Sequence, residues 1–204
     1  MHLEILSEQQ KEMIPLISSF KREYYMVGGT AIALLIGHRK SIDFDMFKSG
    51  NLRKSDIFNK IYASGFKPVL GFQDFQQLHL IVNGVKCTFF SFPYPVKASV
   101  QINRFVKMPD LLTLAAMKAF ALGRRAKWKD YVDLYFILNK YHSFDEICAK
   151  AEGIFKDEFS HKLFRMQLGF FGQMDYSESV EYLIPNPPSD EEIRQFLIQE
   201  SIRF

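Results

Sequence analysis

Asp43 and Asp45, two acids separated by a single residue, are the residues whose type and spacing most directly suggest chemistry. If this stretch is a strand, Ile42, Phe44 and Met46 face a core while Asp43, Asp45 and Phe47 project from the opposite face. Neighbouring carboxylates repel each other unless a cation lies between them. A hard ion with oxygen ligands is the natural guest, and Mg²⁺ is commonly held by one or two carboxylates together with substrate phosphates. Upstream, Gly28-Gly29-Thr30 follows the apolar run Tyr24 to Val27 and opens the segment Ala31 to Ile36. Glycines at a strand-to-helix turn let the backbone approach a ligand, and amides at a helix start attract anions. Phosphate at that turn and a metal at the acids would together accommodate a nucleoside triphosphate with its ion. The other phosphate loops are excluded, because the chain has neither a GxxxxGK[ST] run nor a GxGxxG run.

Each signal alone has a plainer explanation. Alternating acids can be a solvated strand face, and a Gly-Gly pair can be a structural turn. The metal reading rests on their combination with the basic helices downstream.

Four stretches, GGTA at 28–31, HRKSIDFDMF at 38–47, GVKCTFFSFPYP at 84–95 and DLLTLAAMKAFALGRRAKWKDYVDLYFIL at 110–138, resemble in type and order the AbiEii/AbiGii nucleotidyltransferases. These are toxin members of the polymerase-beta-like nucleotidyltransferase superfamily. The resemblance implies an α+β fold, with a palm-like mixed sheet and flanking helices over residues 1–108 and a helical subdomain completing the cleft over 109–204. It implies transfer of a nucleoside monophosphate from an NTP to an acceptor hydroxyl, tRNA among the acceptors, with Mg²⁺ or Mn²⁺ as cofactor. A toxin of a toxin–antitoxin or phage-defence pair would have an antitoxin encoded separately.

Carried onto this sequence, Asp43 and Asp45 would hold the metal. Gly28, Gly29, Thr30 and Lys118 would hold the triphosphate. Arg39 and Ser41 would either touch the nucleotide or fix the approach to the acidic strand. Lys129-Asp130 would match a basic-acidic pair beside the site, with Asp130 a candidate carboxylate base. For Asp130 the alternative is a plain ion pair with Arg125 or Lys129. In one respect the chain departs from the pattern: the third carboxylate is expected on the strand after the 83–84 turn, and Thr88 stands there. Either the ion is held by two acids and the nucleotide, or the protein is a silent nucleotide-binding or interaction module. A small-molecule, antibiotic-type nucleotidyltransferase would share the same GG…DxD features.

Composition sets the outer limits. The 204 residues can bury a substantial core, and a 48% hydrophobic content with 21 Phe is that of a globular protein. A formal charge of only +3 permits nucleic-acid contact without demanding it. Cys87 and Cys148 stand apart without metal-ligand spacing and read as buried thiols. No signal peptide or long apolar run is evident, so no membrane partner and a cytoplasmic location are expected.

The positioning elements follow from pattern and turn chemistry. Ser7 with Gln10 opens a leading helix over 7–21, and a helix from Ser55 to Ala63 follows the acidic strand. Strands are expected over 66–70, 76–82 and 85–92, the last two joined by Asn83-Gly84. Phe92 to Lys107 reads as a connector or an edge strand. Pro109 should start a helix that Gly123 ends. From Lys127 another helix places Tyr131, Leu134, Tyr135 and Leu138 on its apolar stripe, with Asp130 and Asp133 off it. Further on, Ile147, Ala151, Ile154 and Phe155 share a face, Phe159, Leu163, Phe164, Leu168 and Phe171 follow, and Ser189 with Glu192 caps a last helix.

Overall fold

A computed structural model describes residues 2–122, 124, 127–172 and 174–203. The chain divides into two compact units, Met1–Asp110 and Leu111–Phe204.

The first unit is built on a mixed sheet. A short 3-10 turn at Leu3–Ile5 precedes α1 (Glu8–Glu12) and α2 (Ile14–Phe20). These replace the single leading helix expected, because Pro15 in the first turn of α2 restarts the helix after Met13. The expected capping box is present, with the Ser7 hydroxyl accepting from the Gln10 amide. Next come β1 (Tyr25–Val27), α3 (Gly28–Ile36), β2 (Phe44–Lys48) and α4 (Lys54–Ala63). The unit continues with β3 (Val69–Gln73), β4 (Gln77–Val82), β5 (Val85–Ser91), β6 (Val100–Ile102) and β7 (Val106–Met108). The last two form a small hairpin in the stretch expected to be a connector or one edge strand.

Among the described residues, five strands pair in the order β1-β2-β5-β4-β3, with β2 and β5 parallel and the other neighbours antiparallel. At the β4–β5 turn, Asn83 and Gly84 have φ of 52° and 75°, the left-handed pair that a two-residue hairpin requires. Register assigns the faces. Phe44, Met46, Cys87, Phe89, Leu78 and Leu80 point into the core, where Phe20 of α2 meets Phe89 edge-on at 4.9 Å. The other face carries Asp45, Thr88 and His79 in one row and Phe47, Phe90 and Gln77 in the next.

Ile42 departs from the expected alternation. It precedes β2 and is 56% exposed, because the chain from Gly37 to Asp43 is an irregular connection and the strand begins only at Phe44. Phe47, on the carboxylate face as expected, packs with Phe90 and Phe92 at 5.1 and 5.2 Å.

The second unit is helical: α5 (Leu111–Leu122), α6 (Trp128–Lys140), α7 (Phe144–Phe155), α8 (His161–Leu168) and α9 (Asp190–Ile202). Helix α5 begins two residues after Pro109, not on it. The expected stop at Gly123 and the contacts of Arg125 lie outside the described residues. Capping boxes at Ser143 and Ser189 start α7 and α9. Helix α7 buries Ile147, Ala151, Ile154 and Phe155 as its spacing predicts. Of the apolar residues in α8, Leu163 is 44% exposed, while Phe164 and Leu168 are buried. Asp130 and Asp133, expected off the packed side of α6, are inside it. No helix among the described residues is long and apolar enough to cross a membrane.

Candidate active site

In the first unit, the Gly-Gly turn and the acidic pair come together. Helix α3 starts directly from β1 without a side-chain cap at Val27, and Gly28 takes a φ of +74°, a region glycine enters without steric cost. The register that pairs Val27 with Asp45 brings the Asp45 carboxylate against Gly28, so that Oδ2 lies where a Cβ on that glycine would stand. Arg39 and Ser41 stand behind Gly29: a Cβ there would come within 2.5 Å of Arg39 Nη2 and 3.3 Å of Ser41 Oγ.

Thr30 is a strut. Its Oγ1 lies 2.5 Å from the Asp43 carbonyl oxygen and 2.8 Å from Ser41 Oγ. A carbonyl only accepts, so the single Thr30 proton goes to Asp43 and the Ser41 hydroxyl supplies the other contact. Thr30 is buried with its hydroxyl turned inward. Arg39, 1% exposed, donates to the Lys40 carbonyl at 2.9 Å. These three residues therefore shape the turn and fix where Asp43 enters the strand.

Asp43 and Asp45 are both half-buried. Cys87, in the neighbouring strand, reports both of them: burial first, then the charges of Asp45 and Asp43, push its thiol up to about 12. In the parallel pairing, Thr88 is the direct partner of Asp45, so the threonine occupies the position beside the acids on β5. Among the described residues, no group of three or more His, Cys, Asp or Glu side chains is placed to hold a metal.

Lys118 and Asp130 belong to the helical unit and meet there. The Lys118 ammonium donates to Asp130 Oδ1 at 2.5 Å and pairs with Asp133 Oδ2 at 2.8 Å, the three side chains being 6%, 3% and 0% exposed. Asp130 thus pairs with Lys118, neither of the two partners considered from sequence. Lys129 pairs instead with Glu178 at 3.2 Å, and Lys127 reaches the same carboxylate at 2.7 Å. Hydrogen bonds from Lys127 lead the causes that hold the Glu178 carboxyl at about 2. The spacing of Asp130 and Asp133 on one helical face was visible in the sequence, but its meaning depended on a lysine from another helix.

No family model matches the chain. An uncharacterized protein of Aquifex aeolicus (strain VF5) is 28% identical over 148 residues, covering 67% of this chain and 68% of its own. Solved structures similar in fold include two nucleotidyltransferases. MenT4, a nucleotidyltransferase toxin from Mycobacterium tuberculosis H37Rv, has a TM-score of 0.57 at 14% identity over 96% of this chain and 82% of its own. A putative nucleotidyltransferase from Helicobacter pylori has a TM-score of 0.54 at 15% identity, with 79% of each chain covered. The chain therefore has the α+β fold of nucleotidyltransferases, as its sequence led us to expect.

Proposed function

We propose that this protein is a Mg²⁺-dependent nucleotidyltransferase of the AbiEii/AbiGii toxin kind, moving a nucleoside monophosphate from an NTP to a hydroxyl of an RNA acceptor, tRNA among the candidates, and releasing pyrophosphate. The carrying observation is the Asp45 carboxylate seated against Gly28 at the uncapped start of α3, with Asp43 two residues away and pinned by Thr30. A carboxylate held beside helix amides is poised for a cation that an anionic phosphate would share.

The donor set suits a hard ion. Asp43 and Asp45 would hold Mg²⁺ through oxygen, leaving positions for water and phosphate oxygens, as that ion prefers. When bound, the ion stabilises charge on the phosphoryl oxygens. The protein's own contribution is positioning. The Gly28-Gly29 backbone can approach the phosphates because no Cβ intervenes, and Arg39 and Ser41 keep that turn in place from behind. A separately encoded antitoxin would be the expected partner of such a toxin.

Incubating the purified chain with each labelled NTP, Mg²⁺ and total RNA, beside Asp43→Ala, tests the proposal. Label in RNA that disappears in the variant supports it. Label in a low-molecular-weight acceptor would move the assignment to an antibiotic-type enzyme. No label with any NTP and either Mg²⁺ or Mn²⁺ would favour a silent nucleotide-binding module, the reading that Thr88 beside Asp45 most encourages.

A further inference from the structure

A two-carboxylate site leaves one chemical task unassigned. When the acceptor oxygen bonds to the α-phosphorus and the bond to the bridging oxygen of the β-phosphate breaks, pyrophosphate leaves with the electron pair. The hydroxyl proton still needs a place to go. Thr88, the direct neighbour of Asp45, carries a hydroxyl that is no base at neutral pH. Cys87 points into the core.

The next residue in the same row is His79. The register pairs Asp45 with Thr88 and Thr88 with His79, so all three, each half-buried, share the sheet face opposite the core. Two strand spacings, roughly 10 Å at the backbone, separate Asp45 from His79 with Thr88 between them. The imidazole is held by a hydrogen-bonded chain. The Asp74 carboxylate accepts from Gln77 Nε2 at 2.9 Å and from the backbone amides of Gln76 and Gln77 at 2.8 and 2.9 Å. A carboxylate accepts only, so the Gln77 amide nitrogen faces Asp74 and its oxygen faces the histidine. Gln77 Oε1 lies 2.8 Å from His79 Nε2, which must therefore carry the ring proton. That leaves the lone pair on Nδ1. Phe72, from β3, meets the imidazole edge-on at 5.7 Å and limits its tilt.

We infer that His79 takes the proton of the acceptor hydroxyl during nucleotidyl transfer, at Nδ1, with Gln77 and Asp74 fixing the tautomer that keeps this nitrogen basic. This rests on the nucleotidyltransferase reading. The groups that bear on the ring's charge are Lys86 from β5, Asp74 from the β3–β4 turn and, farther along the row, Asp45. Burial first and the Lys86 ammonium second hold the imidazole below its ordinary value of 6.5, against a smaller pull from Asp74, so it is neutral and able to accept at pH 7.

The test uses the full chain with labelled NTP and total tRNA, comparing wild type, His79→Ala, His79→Asn and Gln77→Ala across pH. The expected result is a kcat reduced about 10²- to 10⁴-fold in both histidine variants with an unchanged KM for NTP. In addition, the acid limb of the wild-type profile should vanish, and added imidazole should partly restore His79→Ala. Asn can fill the space and keep a hydrogen bond but cannot take the proton, so an active His79→Asn overturns the inference. A wild-type rate in His79→Ala overturns it while leaving the function standing, as does a loss that imidazole does not restore and that leaves the acid limb in place. A wild-type protein without transfer to any acceptor removes both. Gln77→Ala should lower kcat less, and nitrogen chemical shifts of His79 should show the ring proton no longer confined to Nε2.

Discussion

Asp45 Oδ2 occupies the position that a side chain on Gly28 would need. Two residues far apart in the chain thus exclude each other's enlargement, and the prediction is direct. Gly28→Ala must accept a positive φ and also displace the carboxylate, so it should lose on the order of 1–3 kcal/mol of stability and nearly all transfer activity. Gly50→Ala is the control: its φ of +76° imposes the same backbone strain, but nothing stands within 4 Å of the new methyl. Urea unfolding and transfer rates of the two variants separate strain from collision. Equal loss of activity in both would remove the collision as the cause.

Thr30 ties the helix start to the entry of the acidic strand through the Asp43 carbonyl. Thr30→Val keeps the shape but removes the hydroxyl that reaches both the part-buried Asp43 carbonyl and the Ser41 hydroxyl. A cost of about 1–3 kcal/mol is expected. Because Asp43 loses its anchor, weaker metal binding should accompany the destabilisation, seen as a raised Mn²⁺ dissociation constant by calorimetry. Ser41→Ala, which leaves the carbonyl contact intact, should be milder on both measures.

Thr88 pairs directly with Asp45, so a carboxylate installed there joins the acidic pair. Thr88→Asp should unfold more readily than wild type without divalent ions, because three carboxylates then crowd one edge. Its midpoint should rise more steeply than wild type's when Mg²⁺ or Mn²⁺ is added, since ion binding to the folded state raises stability by mass action. A variant whose stability ignores divalent ions would place residue 88 outside the ion's reach.

Lys118 is shared by Asp130 and Asp133 with almost no solvent access. Removing one member of a buried ionic cluster costs more than the cluster contributes, because the remaining charges lose their compensation. Lys118→Met should therefore destabilise the helical unit by about 3–5 kcal/mol. Combining it with Asp130→Asn and Asp133→Asn should recover a substantial part. Additive losses in thermal unfolding of the triple variant would contradict the account.

How much of this was legible in the sequence differs by level. The turn at Asn83-Gly84 and the capping boxes at Ser7 and Ser189 were readable because their chemistry is local. The adjacency of Gly28 and Asp45 was implied only as complementary halves of one site, since the β1–β2 register that creates it is a tertiary fact. Ile42 misled because alternation was counted two residues too far, into the irregular connection before Phe44. Asp130 and Asp133 were placed off the apolar stripe because acids are rarely buried without a partner, and the lysine that pairs with both lay on another helix. His79 gave no signal, as a lone histidine in a strand has none until register puts it in a row with Asp45 and Gln77 holds its ring.

Glu178 offers a test at low pH. Its carboxyl is held at about 2 in the folded protein, chiefly by the hydrogen bond from Lys127, with Lys129 adding to it. A carboxyl depressed on folding contributes stability that is fully present above its ordinary value of 4.5 and is lost as pH falls through about 2, below which both states are protonated. The difference in urea midpoint between wild type and Glu178→Gln should therefore be constant above about pH 5.5 and should shrink through the acid range. The pair is partly solvent-exposed, so added salt should narrow the same difference at neutral pH. Lys127→Ala should flatten the acid slope more than Lys129→Ala, following the shorter contact at 2.7 Å against 3.2 Å. The reverse ranking would assign the charge to the wrong lysine.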